Sequence, residues 1–192
     1  GNGLVEFIKG FYPQVQKEGL IVDVRANGGG FVSQLIIDRL ARQVVAFRRA
    51  RRGEVYTYPA RVHRGPKVCL INQQSGSDGD IFPESFKLLE LGPVIGMRSW
   101  GGVVGIRGDK PFVDGGVSTQ PEFSWWEPRR GWGLENSGVV PDIEVDILPE
   151  DYLAGRDPQL DRGIAEVLRM LEAQPVVPPN LDPPPDKSRP RP

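Results

Sequence analysis

Two short apolar runs, each ending in a cluster of small residues and each followed by an amphipathic stretch, constrain this chain more than any other feature. The first reads Gly19-Leu20-Ile21-Val22-Asp23-Val24-Arg25, and the second reads Lys67-Val68-Cys69-Leu70-Ile71-Asn72. Runs this short and this rich in branched residues suit strands buried on both faces of a parallel or mixed sheet. Asn27-Gly28-Gly29-Gly30 breaks the first run, and Ser75-Gly76-Ser77-Asp78-Gly79-Asp80 breaks the second. Residues 31–47 then predict an amphipathic helix, with Phe31, Leu35, Ile36, Leu40, Val44 and Val45 recurring on one face. The arginines of 48–52 would close that helix with the positive charge its C-terminus favours. Residues 81–91 predict a second helix, with Pro83 in its first turn. Pro93-Val94-Ile95-Gly96-Met97 predicts a third buried strand. Strand, glycine turn and helix in alternation specify an α/β layered fold.

The flanks read differently. Residues 4–12 space their apolar side chains at helical period until Pro13 interrupts them. Residues 54–58 alternate weakly, as an edge strand would. Residues 101–147 combine many glycines with short apolar runs, which predicts β-hairpins and loops. Residues 158–171 predict a last helix, with Leu160, Ile164, Val167 and Leu168 on one face. Residues 174–192 hold eight of the chain's 19 prolines. Such a segment cannot offset its ordering entropy by burial, so it is expected to be a disordered tail. Residues 1–173 are left as one domain, long enough for a sizeable core.

Composition narrows the function. With 24 basic and 25 acidic residues the formal charge is −1, without the basic excess of a nucleic-acid binder. There is no apolar run long enough for a transmembrane helix. No basic-then-apolar leader opens the sequence, so no secretory signal is expected. Cys69 is the single cysteine and His63 the single histidine. A disulfide framework and a Cys/His zinc site are therefore both excluded, and a reducing compartment fits. No phosphate-loop or dinucleotide glycine pattern is present, and no cofactor site is expected.

The two glycine turns carry chemistry only as a pair. Free amides at a helix start attract anions, so the 27–30 turn could bind phosphate, stabilise an oxyanion or simply bend the chain. In the second turn Ser77 stands where a nucleophile elbow places its serine, while Ser75 is a rival and plain helix capping an alternative. Two such turns at strand C-termini can face each other across a crevice, one offering a hydroxyl and the other donors. A serine nucleophile also needs a base. His63 lies in Val62-His63-Arg64, a polar connection that reads as solvated surface.

Three segments resemble the tail-specific (C-terminal processing) and tricorn serine proteases. They are Gly19 through Gly30, Ser75-Gly76-Ser77-Asp78-Gly79-Asp80-Ile81-Phe82, and Gly131-Trp132-Gly133-Leu134-Glu135-Asn136-Ser137-Gly138 with the Val139-Val140-Pro141-Asp142 that follows. The resemblance implies a ClpP/crotonase-like spiral of ββα units with a β-hairpin-rich C-terminal half. It implies Ser77 as nucleophile and the amides of Gly30 and Asp78 as oxyanion hole. It implies Glu135 as the acid of a Ser-His-Ser-Glu tetrad. The matching histidine would lie upstream, before a PDZ domain, so this chain alone would be nearly inactive. The position matching Arg48 is acidic in the archaeal tricorn type, where it helps recognise a basic P1 side chain. An arginine there implies tolerance of acidic P1 residues, although a solvated helix end is the plainer and favoured reading. Residues 100–106 form a glycine-rich segment that could hold a peptide by β-augmentation at Ile106, or be a simple edge strand. The resemblance further implies peptide substrates, a cytoplasmic homo-oligomer and a β-propeller upstream. Two other readings remain open: a catalytically silent peptide-binding relative, and an acyl-CoA-handling enzyme of the crotonase type.

Overall fold

Strand β4 (Lys67–Ile71) carries the core because it is paired on both edges and covered on both faces. It lies between β1 (Leu20–Asp23) and β5 (Val94–Gly96), and β8 (Ile143–Glu144) extends the sheet to the order β1-β4-β5-β8. All three pairings are parallel. The computed structural model describes residues 2–183. Side chains alternate across β4. Cys69 and Ile71 point into a cluster with Phe11, Leu40, Phe82 and Phe86, while Val68 and Leu70 meet Ile95 and Val167. The first face is covered by α1 (Asn2–Gln14), α2 (Ser33–Leu40) and α3 (Asp78–Leu88), the second by α5 (Pro158–Ala173). A strand apolar on both faces therefore reads as an uninterrupted apolar run. Cys69 is fully buried in it, and burial pushes its thiol pKa up.

Two hairpins lie outside the sheet. One pairs β2 (Ala46–Arg49) with β3 (Val55–Tyr58), the other β6 (Gly105–Arg107) with β7 (Gln120–Phe123), and both are antiparallel. A short helix, α4 (Pro149–Ala154), precedes α5.

Several expectations change. The helix expected over 31–47 ends at Leu40: Ser33, Ile37 and Leu40 are buried and Ile36 packs against the same core, and the apolar residues beyond find no such surface. Phe31 is 86% exposed and Val45 77% exposed. Arg48 sits in a strand opposite Tyr56 rather than at a helix end, with its guanidinium over the Tyr58 ring. Cross-strand aromatic contacts of this kind favour a hairpin over further helix. Helix α3 starts at Asp78, three residues earlier than the expected 81. Pro13 lies inside α1, next to its last residue, so the one bond it cannot donate, to the Lys9 carbonyl, falls in the final turn. On α5 the buried set is Gln159, Gly163, Glu166 and Val167, and Ile164 and Leu168 face outward. The pairing of β8 with β5 and the helix α4 were not expected at all. Residues 175–183 carry no helix or strand, and Arg64 donates to the Val177 carbonyl. Residues 184–192 of the expected tail lie outside the described residues.

Candidate active site

Both glycine turns follow the C-terminal ends of adjacent parallel strands, and they interlock. The Gly76 amide donates to the Asn27 carbonyl at 2.9 Å, and the Ala26 amide donates to Asn72 Oδ1 at 2.9 Å. Ser75 is fully buried, and its hydroxyl donates to the Val24 carbonyl at 3.0 Å. Ser75 is thus engaged in stapling the two turns. Asp78 is 7% exposed, and its Oδ2 accepts from the amides of Val32 and Ser33 at 3.1 and 3.0 Å. It caps the start of α2, where Val32 has no side-chain cap of its own.

Ser77 is the residue this scaffold leaves unspent. It occupies the N-cap position of α3 at φ 56°, ψ −118°, and its side chain makes no capping bond. Positive φ is costly for a residue with a Cβ and persists where surrounding structure enforces it. A sharp strand-to-helix turn of this kind lifts a hydroxyl clear of the backbone. Helix α3 points its free amides and positive dipole end at this position. The Gly29 backbone, at φ 114°, presses on Ser77 so closely that a Cβ there would lie 2.9 Å from Ser77 Oγ. A Cβ on Gly30 would meet open space. Neither the Gly30 nor the Asp78 amide donates a backbone hydrogen bond among the described residues. The structure therefore brings Ser77, Asp78 and the 27–30 turn together.

Glu135 joins them through one intervening loop. Its Oε2 accepts from the amides of Val103 and Val104 at 2.7 and 2.8 Å. The same loop bonds back to the nucleophile turn, with the Trp100 amide donating to the Ser75 carbonyl at 2.8 Å. Ile106 continues this loop as β6, 54% exposed, opposite Pro121 in a two-stranded hairpin. Arg48 is not brought to Ser77. Its hairpin lines a cavity of about 370 Å³ with Val15, Lys17, Val62 and Arg64.

His63 is also remote. It precedes β4, whereas Ser77 follows it, and a five-residue strand spans ~16 Å. Contrary to the expected solvated surface, it is 3% exposed. Its ring nitrogens have no partner of hydrogen-bonding geometry among the described residues. Burial, and then the charge of Lys67, pushes its pKa down to about 4. The folded imidazole is neutral at pH 7, and the unfolded chain gains a proton below about pH 6.5 that the folded chain refuses until about pH 4. Stability is therefore lost as pH falls through this window, by at most about 3 kcal/mol. Urea unfolding of His63→Leu at a series of pH values is expected to show a flatter slope there. Parallel slopes for both proteins would remove the explanation.

Sequence reasoning missed the charged residues around the site. Asp80 is fully buried, and Glu84 and Glu127 are 6% and 1% exposed. Arg25 bonds Asp23 and Asp157, and its guanidinium holds the Asp157 carboxyl below the usual carboxylate range. The signal for Asp80 was its spacing of three from Ser77, hidden because the helix was expected to start at 81. Among the described residues no group of His, Cys, Asp and Glu could hold a metal ion, and no helix is long and apolar enough to cross a membrane.

Residues 1–145 match Peptidase family S41. The chain is 50% identical over 169 residues to the Tricorn protease of Thermoplasma acidophilum, covering 88% of this chain and 16% of that protein. It is 49% identical over 169 residues to Tricorn protease homolog 1 of Streptomyces coelicolor, with the same coverage of 88% and 16%. It superposes on the crystal structure of the tricorn protease with a TM-score of 0.85 at 49% identity, over 88% of this chain and 17% of that one. The photosystem II D1 C-terminal processing protease shares the fold, with a TM-score of 0.51 at 21% identity. The chain thus spans 16% of the length of these curated relatives.

Proposed function

The chain belongs to peptidase family S41, and from that membership we propose that it is the nucleophile-bearing part of a serine peptidase that cleaves peptides through an acyl-enzyme. The observation that carries this reading is Ser77 itself. It is an uncapped serine held at positive φ on a helix N-terminus, against a glycine turn, beside two undonated amides.

In this reading Ser77 Oγ attacks the substrate carbonyl carbon and a base takes its proton. The Gly30 and Asp78 amides donate to the oxyanion. The C–N bond breaks, the base returns the proton to the leaving amine, and water then hydrolyses the ester. His63 is too remote and too buried to be the base. The base is instead a histidine outside these 192 residues, as the family resemblance implies. Glu135 orients that histidine through a second serine hydroxyl, and the two loop amides on its Oε2 hold the carboxylate in place. Ile106, on the hairpin beside Glu135, offers a strand edge for the peptide backbone.

The wider reading follows the same relatives. Residues 1–173 are the C-terminal half of a catalytic unit with a ClpP/crotonase-like spiral, followed by a proline-rich tail. The whole protein carries a PDZ domain and a β-propeller upstream, forms a homo-oligomer and acts on peptides in the cytoplasm. Arg48 is assigned to P1 recognition on the family position alone, since this chain by itself does not bring it to Ser77. With Arg48→Glu, cleavage of a peptide pair differing only in Asp or Lys at P1 is expected to shift toward Lys. An unchanged ratio would remove Arg48 from the site.

The direct test treats the full-length protein with a fluorophosphonate and maps the adduct by mass spectrometry. An adduct on Ser77 is expected. A folded protein that forms no adduct there would instead favour a peptide-binding relative without catalysis.

A further inference from the structure

Helix α3 carries Ser77 at its N-cap, and one face of it is fastened to the segments that hold Glu135. Positions 80, 84 and 87 fall on that face. Asp80 Oδ1 accepts from the Ser99 hydroxyl at 2.5 Å and from the Gly101 amide at 2.8 Å. Ser99 Oγ in turn accepts from the Val139 amide at 2.7 Å. The Asn136 amide, beside Glu135, donates to the Gly101 carbonyl at 2.7 Å. One turn along, Glu84 Oε2 pairs with Arg130 Nη2 at 2.9 Å, and Arg130 Nη1 donates to the Gly138 carbonyl at 3.2 Å. Glu127 accepts from the Arg129 and Arg130 amides at 2.7 and 2.8 Å, fixing where that arginine emerges. One turn further, Lys87 Nζ donates to the Val140 carbonyl at 2.8 Å.

Such an arrangement is costly if only stability is at stake. Asp80 is fully buried, and its Oδ2 has no partner among the described residues. A buried carboxylate with a spare oxygen carries an uncompensated desolvation cost. Apolar side chains of similar volume often stabilise as well as buried ion pairs do. What charged groups add is geometry, because each bond has a set length and direction. Asp80 acts on residues 99–101, which lead directly into the Val103 and Val104 amides that hold Glu135. Glu84 acts through Arg130 on Gly138, so the two carboxylates brace Glu135 from both sides.

We propose that α3 is the bar that sets Ser77 against Glu135, with Asp80 and Glu84 as its positioning residues. The proposal rests on the reading that Ser77 and Glu135 act together.

The test uses the full-length protein and the rate of fluorophosphonate labelling at a series of probe concentrations, which separates kinact from KI. Melting temperature is measured beside it. Glu166→Gln is the control. Glu166 is 4% exposed and paired with Arg162 and Arg169 on α5, away from the site. Asp80→Asn and Glu84→Gln are each expected to lower kinact by about tenfold or more while KI stays within about twofold, since base-assisted proton transfer depends on alignment. Their melting temperatures should fall no further than that of Glu166→Gln, whose kinact stays at the unmodified value. If Glu84→Gln fails to fold, Arg130→Lys reads the same arm, since it keeps the charge but loses the fork; if Asp80→Asn fails, Ser99→Ala removes the hydroxyl bonded to Asp80 and reads the other arm. Values of kinact that match Glu166→Gln would overturn the proposal. Glu135→Gln separates the two levels. If it labels at the normal rate, the role of Glu135 falls and this inference with it. If it labels slowly while Asp80→Asn and Glu84→Gln label normally, this inference alone falls.

Discussion

Ser77→Ala in the full-length protein is expected to lower peptide hydrolysis by roughly 10⁴-fold or more, the scale on which loss of a serine nucleophile acts. The fold should survive. Ser77 makes no capping bond, so its hydroxyl holds nothing in place. A second substitution separates chemistry from backbone strain. At φ 56° a Cβ costs about 1–3 kcal/mol, and Ser77→Gly removes it. Ser77→Gly should therefore be as inactive as Ser77→Ala but more stable by urea unfolding. Hydrolysis that survives in both variants would overturn the assignment of the nucleophile. Equal stability of the two would overturn the account of strain.

Gly79→Ala is expected to reverse the usual sign of a helix substitution. In an exposed helix interior, glycine to alanine stabilises by about 1 kcal/mol. Gly10 in α1 is such a position, with nothing within 4 Å of an added Cβ. Gly79 lies in α3, where an added Cβ would sit 2.0 Å from the Asn27 carbonyl oxygen. That oxygen belongs to backbone already bonded to Gly76. The methyl can be accommodated only if the two glycine turns separate. Gly10→Ala should raise the melting temperature. Gly79→Ala should cost about 1–3 kcal/mol or more, as an overpacked core does, and slow Ser77 labelling as the 27–30 turn moves away. A Gly79→Ala protein as stable and as reactive as the unmodified one would show that the turns do not depend on this contact.

The buried strands of the sheet and the place of the candidate nucleophile were legible because both rest on local features. Continuous apolar runs identify strands covered on both faces, and β1, β4 and β5 appear where such runs occur. Small residues at their ends identify tight turns, and Ser77 is found in one. Residues 31–47 show where local periodicity misleads. Val44 and Val45 keep helical spacing, but Val45 is 77% exposed and the chain pairs with Val55–Tyr58 instead. The Val45 amide donates to the Tyr58 carbonyl, and tertiary contacts, not periodicity, terminate α2.

The sequence by itself determined the α/β class and the two glycine turns, and it offered Ser77 as the candidate nucleophile and, through the family resemblance, Glu135 as the candidate acid. Only the tertiary structure decided what each polar residue of those motifs does. Ser75 staples strands, Asp78 caps α2 by its carboxylate while leaving its amide free, and Asp80 fastens the loops that hold Glu135. It also decided that His63 is a buried neutral imidazole at the far end of the sheet. The physical reason is range. Apolar period and turn chemistry act between residues a few positions apart. A hydrogen bond from Asp80 to Ser99, or from Asp78 to Val32, joins residues that become neighbours only when parallel strands bring their C-terminal ends together.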